Sequence, residues 1–337
     1  MTDSSYGPGE AAGIWVFLEH DDGAFASVSL ELVSKARELA QASTQRVTGL
    51  LLGNPTPELR ETAAELDVDE VLVASHPLLE QFTAEPYAHA ATGLIKERRP
   101  DILLLGATPY GRDLAGRLAV ELRTGLTADC TDLTLGEDGL LIGEVTGFGG
   151  GVVADIKCET CRPQMATVRP GVFTPGELEP TSRATVEDVL VEIPESACPV
   201  RVISREKRES VDISRSERLV IAGRGTKGDM GLMTELAGAL HAEIGATRVA
   251  VDEGWTERDR QIGQTGIVTR PELAVVCGVS GATQFTVGIE DAGYVVALNQ
   301  DPEAPIFEHA DLCIVDDLFP VLKELLSLIQ SENGGAS

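Results

Sequence analysis

The chain has 337 residues, a length that suggests roughly two domains. Its hydrophobic content of 43% is ordinary for a globular protein, and no apolar run approaches the ~20 residues of a membrane span, so we do not expect it to be membrane-embedded. A net charge of −27 with no basic patch argues against a nucleic-acid partner.

In chain order, residues 1–10 are polar, with neither a basic start nor an apolar core. We read no signal peptide there and expect a cytoplasmic protein. Residues 14–18 (Ile-Trp-Val-Phe-Leu) form a short apolar run, expected to be a buried strand. Residues 28–40 carry apolar side chains at helical spacing, with Ser27 or Ser29 as the expected N-cap. Strands are expected at 47–52, 70–74 and 101–105. Helices are expected at 57–66, opened by Pro57, at 86–96, and at 111–122 after a turn at Pro109-Tyr-Gly111. Alternating short strands and helices imply a parallel sheet covered on both faces.

After Asp129 the pattern changes. Residues 140–143, 151–157 and 165–168 read as strands separated by Gly-rich turns. The run Gly147-Phe-Gly-Gly-Gly151 reads as a turn or bulge cluster, because no helix with a Lys-Ser/Thr pair follows to make a phosphate loop. Six cysteines, at 130, 158, 161, 198, 277 and 313, are too dispersed for a disulfide framework. Cys158-Glu-Thr-Cys161 is an isolated C-x-x-C. Zinc needs more ligands than this pair offers, and a redox dithiol favours a helix N-terminus. We read free thiols and assign no metal.

Residues 174–217 are rich in Pro, Ser and charge, and 198–216 reads as a linker. The division is then residues 1–205 and residues 212–330. In the second part, strands are expected at 219–222, 273–277, 294–298 and 312–315, with helices at 229–241 and 319–329. The turn Gly223-Arg-Gly225-Thr-Lys-Gly228 is a G-x-G-x-x-G between strand and helix, which would suit a pyrophosphate. The acidic residue that should follow ~20 positions on, at a strand end, is not evident, because Glu243 is expected at a helix end.

Residues 245–266 hold the densest set of ligand-type groups. They include Thr247, Arg248, Gln261, Gln264, Thr265 and Gly266, with no nucleophile and base in partnership. One cation, amides, hydroxyls and exposed backbone N–H groups suit a flat, phosphate-bearing cofactor. The plainer reading is a loop of turn residues capping a strand. Gly278-Val-Ser280-Gly-Ala282 after one strand is a further anion-type arrangement, and Asn299 to Pro305 follow the next. Ligand-type residues thus follow four strands, whose ends face one crevice in an open parallel sheet.

Taken together, the motifs resemble the α subunit of electron-transfer flavoproteins. They are Gly223-Arg-Gly225, Gly245-Ala-Thr-Arg248, Gln261-Ile-Gly-Gln-Thr-Gly266, Ser280-Gly-Ala282, Asn299-Gln-Asp-Pro-Glu-Ala-Pro-Ile-Phe307 and Asp317-Leu318. Glu19-His20, residues 28–37, 111–117 and 124–130, and Arg162-Pro-Gln-Met-Ala-Thr-Val-Arg-Pro-Gly171 extend the resemblance over nearly the whole chain. It implies an α/β fold of two domains, each a mostly parallel sheet flanked by helices. The first would be the subunit-interface domain and the second a Rossmann-like FAD-binding fold. It implies a heterodimer with a β subunit, carrying electrons from flavoprotein dehydrogenases, such as acyl-CoA dehydrogenases of fatty acid β-oxidation, to a quinone oxidoreductase or another acceptor.

Carried over by position, Arg248 would lie over the isoalloxazine, with Arg224 close by. Thr265 would bond the flavin N5 edge, and Gln261 and Gln264 would hold nearby backbone and ribityl groups. Ser280, Gly281 and Ala282 would meet the pyrophosphate, and Asn299 and Asp317 the adenosine end. Thr247, Gly266, Gln284 and Leu318 complete the expected cofactor contacts. One position departs: the family's His at the flavin C2 carbonyl is Phe285 here. Besides the electron carrier, two readings stand. One is the α subunit of an electron-bifurcating, NADH-oxidising complex. The other is a plain adenine-nucleotide module, which a flavin spectrum would exclude.

Overall fold

A computed structural model describes residues 6–21, 23–147, 152–176, 183–205 and 212–334. The glycine cluster at 148–151 lies outside the described residues, as do residues 206–211 of the expected linker. The chain divides into two compact units, with the division between residues 205 and 206.

The first unit opens with β1 (Ile14–Phe17), the hairpin strands β2 (His20–Asp21) and β3 (Ala24–Phe25), and α1 (Ser27–Ser43). There follow β4 (Val47–Gly53), α2 (Pro57–Ala64), β5 (Glu70–Ser75), α3 (Ala84–Arg98), β6 (Ile102–Gly106) and α4 (Pro109–Leu122). Then come β7 (Leu126–Cys130), β8 (Asp132–Leu135), β9 (Leu141–Gly147), β10 (Val152–Lys157), β11 (Gln164–Val168) and β12 (Thr185–Asp188). Seven strands form one sheet in the order β12-β5-β4-β1-β6-β11-β7, and every pairing in it is parallel.

Apolar runs produce this sheet because both its faces are covered. Leu51 packs into one core cluster with α1, while Leu50 and Leu52 point into the other with α3 and α4. Leu104 and its neighbours Leu103 and Leu105 divide in the same way. Successive strand residues alternate faces, so a strand buried on both sides must be apolar throughout.

The helix starts differ in detail from expectation. Neither Ser27 nor Ser29 caps α1: the N-cap is Ala26, Ser27 Oγ donates to Glu31, and Ser29 Oγ donates to the Glu19 carbonyl. Pro109 belongs to the first turn of α4, not to a preceding turn, since its missing N–H costs nothing there. Thr108 caps that helix by accepting from Gly111 N. Its hydroxyl also donates to Glu19, whose carboxyl follows β1. Burial holds Glu19 above the usual carboxylate range, against the opposing pull of the Thr108 hydrogen bond.

Five short strands of this unit were not expected. β7, β8 and β12 are brief and partly polar, and β2 and β3 have two residues each. β8, β9 and β10 make a separate antiparallel sheet, so only β11 of the three strands expected after Asp129 joins the parallel one.

The second unit contains β13 (Arg218–Ala222), α5 (Met230–Leu240), β14 (Glu243–Ala246) and the single-turn α6 (Arg248–Asp252). It continues with β15 (Leu273–Cys277), the single-turn α7 (Thr283–Thr286), β16 (Val295–Asn299), β17 (Leu312–Val315) and α8 (Leu318–Gly334). The sheet order is β14-β13-β15-β16-β17, all parallel. Glu243 therefore starts a strand and does not end a helix. One face is covered by α5 and α8. The other is covered largely by irregular chain, with Ile262, Val279, Phe285, Ile289 and Ile306 buried against Ile221 and Val276. The chain runs from β13 to β14 on one side and resumes at β15 on the other. The strand order thus reverses between β13 and β15, the place where open parallel sheets bind ligands. No helix among the described residues is long and apolar enough to cross a membrane.

Candidate functional site

A cleft of about 750 Å³ opens at the C-terminal ends of β14, β13, β15 and β16. Each of the four strands delivers one loop to it.

After β13 the chain turns at Gly223. Its N–H donates to the Cys277 carbonyl, and the Gly225 N–H donates to the Gly278 carbonyl, both at 2.9 Å. A Cβ on Gly225 would sit 2.7 Å from Gly278 Cα, so the loops after β13 and β15 touch backbone to backbone. The glycines of this G-x-G-x-x-G serve that contact. They do not present the N-terminus of α5 to a pyrophosphate, because the Asp229 carboxylate already caps that helix by accepting from Leu232 N at 3.1 Å. Arg224 lines the cleft from this loop.

After β14, Thr247 is the N-cap residue of α6 and Arg248 its first residue, and both line the cleft. Arg248 Nε lies 3.3 Å from Asp252 Oδ2, one helical turn on, with both side chains largely exposed. The chain then returns through a tight loop. Ile262 N donates to the Ala246 carbonyl at 2.9 Å, and Ile267 N to the Gln261 carbonyl at 2.7 Å. The buried Gln261 amide donates from Nε2 to Thr265 Oγ1 at 2.9 Å. A hydroxyl that accepts there keeps its own hydrogen to donate into the cleft.

After β15, the cleft wall is Gly278, Val279, Ser280 and Ala282, followed by Gln284 and Phe285 on α7. Gly281 has φ +87°, and a Cβ there would lie 2.1 Å from Ile306 N, which only glycine tolerates. Phe285 lines the cleft yet is only 6% exposed, since its ring packs among Ile262, Val279 and Ile306. After β16, Asn299 donates from Nδ2 to the Val279 carbonyl at 2.7 Å and accepts from Asp301 N at 3.0 Å. That amide braces two cleft loops against each other.

The fifteen residues carried over from the resemblance divide as follows. Ten line this cleft: Arg224, Thr247, Arg248, Gln261, Thr265, Ser280, Ala282, Gln284, Phe285 and Asn299. Gln264, Gly266 and Gly281 sit in its loops without lining it. The Gln264 N–H donates to the Gln284 carbonyl at 2.7 Å, and Gly266 N donates to Gly263 O at 2.9 Å. Asp317 and Leu318 lie at the start of α8, where Asp317 accepts from Phe319 N and Leu318 is buried against the helical core. The structure adds Gly278, Val249, Asp301, Ala304 and Pro305 to the walls. The Gly278–Ala282 and Asn299–Pro305 runs were visible in the sequence as motifs, whereas nothing local marks Val249.

The charged lining is two guanidinium groups against the single carboxylate of Asp301. In a chain of net charge −27 this locally positive cleft suits an anionic ligand. No Cys, His or Lys is in its lining, so it offers no thiol, no imidazole base to activate the Ser280 or threonine hydroxyls, and no Schiff-base amine. Burial pushes the Cys277 thiol beneath it up to about 12, which keeps it protonated. All six cysteines are free, and Cys158 Sγ donates to the Cys161 carbonyl at 3.6 Å. Among the described residues no three His, Cys, Asp or Glu side chains gather into a group that could hold a metal.

Comparison with known proteins adds a second line of argument. A family model described as the electron transfer flavoprotein domain matches residues 14–194, and one described as the electron transfer flavoprotein FAD-binding domain matches residues 212–290. The chain is 41% identical over 321 residues to the electron transfer flavoprotein subunit alpha of Thermoanaerobacterium thermosaccharolyticum, covering 94% of this chain and 97% of that one. It is 41% identical over 331 residues to the corresponding subunit of Clostridium acetobutylicum, covering 95% and 98%. It is 38% identical over 321 residues to the lactate dehydrogenase (NAD(+),ferredoxin) subunit LctC of Acetobacterium woodii, covering 94% and 77%.

Proposed function

Because the chain belongs to the electron transfer flavoprotein α-subunit family and binds FAD, we propose that the cleft over β13–β16 holds that FAD in a heterodimeric electron carrier. The carrying observation is the four-strand convergence itself. A cleft of about 750 Å³ at a strand-order reversal, with net positive lining and several neutral donors, fits a flat cofactor bearing a pyrophosphate.

Bound FAD supplies reversible electron transfer, and the chain supplies position and field. Arg248 and Arg224 place positive charge beside the ring system. Gln261 fixes the Thr265 hydroxyl so that its hydrogen is free for a ring nitrogen. Gln264, Gly266, Ser280, Gly281 and Ala282 shape the loops around the chain of the cofactor, and Asn299 holds two of them together. Asp317 and Leu318 lie at the end we assign to adenosine.

The partner is a β subunit, and the complex works in the cytoplasm. Electrons come from flavoprotein dehydrogenases of the acyl-CoA type and leave to a quinone-linked or other acceptor. Co-expression with the β subunit tests this: a yellow heterodimer with about one FAD in this subunit is expected, and the chain alone should bind FAD poorly. A stable yellow monomer would refute the dependence on a partner. A colourless heterodimer would refute the cleft assignment.

A second reading draws on the similarity to the LctC subunit, whose name joins NAD(+) and ferredoxin. In it the complex oxidises NADH and divides electrons between a low- and a high-potential acceptor. A second FAD in the heterodimer, with NADH oxidation requiring both acceptors, supports this reading; one FAD and no NADH oxidation removes it.

A further inference from the structure

The first unit carries its own cavity, of about 400 Å³, at the C-terminal ends of β1, β4, β5 and β6. Its position repeats the logic of the flavin cleft. The chain passes from β1 to β4 and β5 on one side and resumes at β6 on the other, so the strand order reverses between β1 and β6. Nothing in the flavin reading uses this cavity.

One wall is aromatic. The rings of Phe82 and Tyr110 are stacked at 4.4 Å between centroids and 17° between planes, and Tyr87 tilts against Phe82 at 4.9 Å. Only 4% of the chain is aromatic, and three of those rings meet here. Tyr87 is buried and anchors the ladder by donating to the Leu79 carbonyl at 2.9 Å. Tyr110 is 39% exposed at the outer end. A preformed ladder with an exposed terminal ring is a stacking platform, since an added planar ring extends it at little ordering cost.

The polar lining selects among planar rings. Asn54 and Gln81 bring primary amides and Ser204 a hydroxyl, groups that both donate and accept. The ionic lining is Asp21, Glu80 and Arg205, and Arg205 is committed to Asp21 through two contacts of 2.6 and 2.5 Å. The net sign is negative, so a phosphate is disfavoured.

We propose that this cavity binds a phosphate-free nucleoside or nucleobase, its ring stacked on the Tyr110–Phe82 ladder and its edge read by Asn54 and Gln81. Arg205 is the last residue of the first unit. Its ion pair to Asp21 therefore places the occupant beside the start of the segment that leads to the flavin unit.

The test is calorimetric titration of the FAD-loaded heterodimer with adenosine and with guanosine, using AMP as the charged comparator. Saturable nucleoside binding is expected, weakened at least about tenfold by Tyr110→Ala and largely kept by Tyr110→Phe. Asn54→Ala, on the rim and outside the ring ladder, should weaken it as well, which guards against a folding defect in the first variant. AMP should bind about tenfold more weakly than adenosine. Absence of saturation at millimolar nucleoside would overturn the proposal. So would affinities unchanged by Tyr110→Ala and Asn54→Ala, or AMP binding as tightly as adenosine. Flavin content, measured on the same samples, reports separately on the second unit.

Discussion

Replacing Arg248 by Ala removes one of the two cations that line the cleft proposed to hold FAD. The size of the effect follows from its setting. At about 4 Å a unit charge contributes ~1 kcal/mol in bulk water and ~4 kcal/mol at an effective permittivity of ~20. The Arg248 side chain is 69% exposed and shares its charge with Asp252 at 3.3 Å, so its contribution belongs near the lower bound, ~1–2 kcal/mol. At ~1.4 kcal/mol and ~59 mV per tenfold, the one-electron potential of the bound FAD should fall by ~40–85 mV. Potentiometric titration of the heterodimer reads this directly. Arg248→Lys should recover part of the loss, because a point charge cannot reproduce a planar guanidinium against a ring. Asp252→Asn should shift the potential upward by less, since it frees the guanidinium. Raising the salt should shrink every one of these differences. An unchanged midpoint in Arg248→Ala, with full FAD content, would remove Arg248 from the flavin's field and refute the reasoning.

Other outcomes follow from the same geometry. Gly281→Ala should lower stability by at least ~2 kcal/mol and strip the flavin, because the new Cβ meets the Ile306 backbone at a positive φ; a thermal melt and a flavin absorbance ratio check it. Phe285→His should lower the melting temperature by placing ring nitrogens among Ile262, Val279 and Ile306, while raising the yield of one-electron-reduced flavin at mildly acidic pH. Equal yields in stepwise reduction would show that Phe285 does not set that chemistry. Glu19→Gln should stabilise the first unit near neutral pH. Burial raises the folded pKa of Glu19 above its unfolded value, so its favourable contribution is present in acid and lost as pH rises through the folded value. Melting temperatures of the two proteins should therefore converge in acid and separate towards neutrality, and a pH-independent gap would contradict this. Limited proteolysis should cut between residues 198 and 216; cleavage confined elsewhere would argue against a linker there.

The strands buried on both faces were legible because they had to be apolar at every position. Leu50 to Leu52 and Leu219 to Ile221 leave no polar residue to interrupt the run. β14 escaped notice because an edge strand of Glu-Ile-Gly-Ala has neither length nor alternation. That omission placed Glu243 at a helix end and left Thr247 and Arg248 in an apparent loop. The loops of the cleft were legible as clusters of Gly, Ser, Thr, Gln and Asn after strands. Their division of labour was not. A sequence does not say that Gln261 spends its amide on Thr265, or that Asn299 ties its own loop to the neighbouring one through the two ends of its amide. Nor does it say that Asp229 fills the helix N-terminus that a glycine fingerprint advertises. Each depends on which groups meet across the fold.

The backbone contact between Gly225 and Gly278 has a consequence for how such a cleft can change over generations. Neither residue can gain a methyl group while the other loop stays in place, because the new carbon would lie 2.6–2.7 Å from the opposite Cα. Single replacements at either site are therefore closed, and a compensating partner cannot arise first, since both positions already hold the smallest residue. The two loops are inherited as one part. Variation in what the cleft accepts must enter through side chains on its walls, such as Arg248, Gln284 and Asn299, which can be exchanged one at a time.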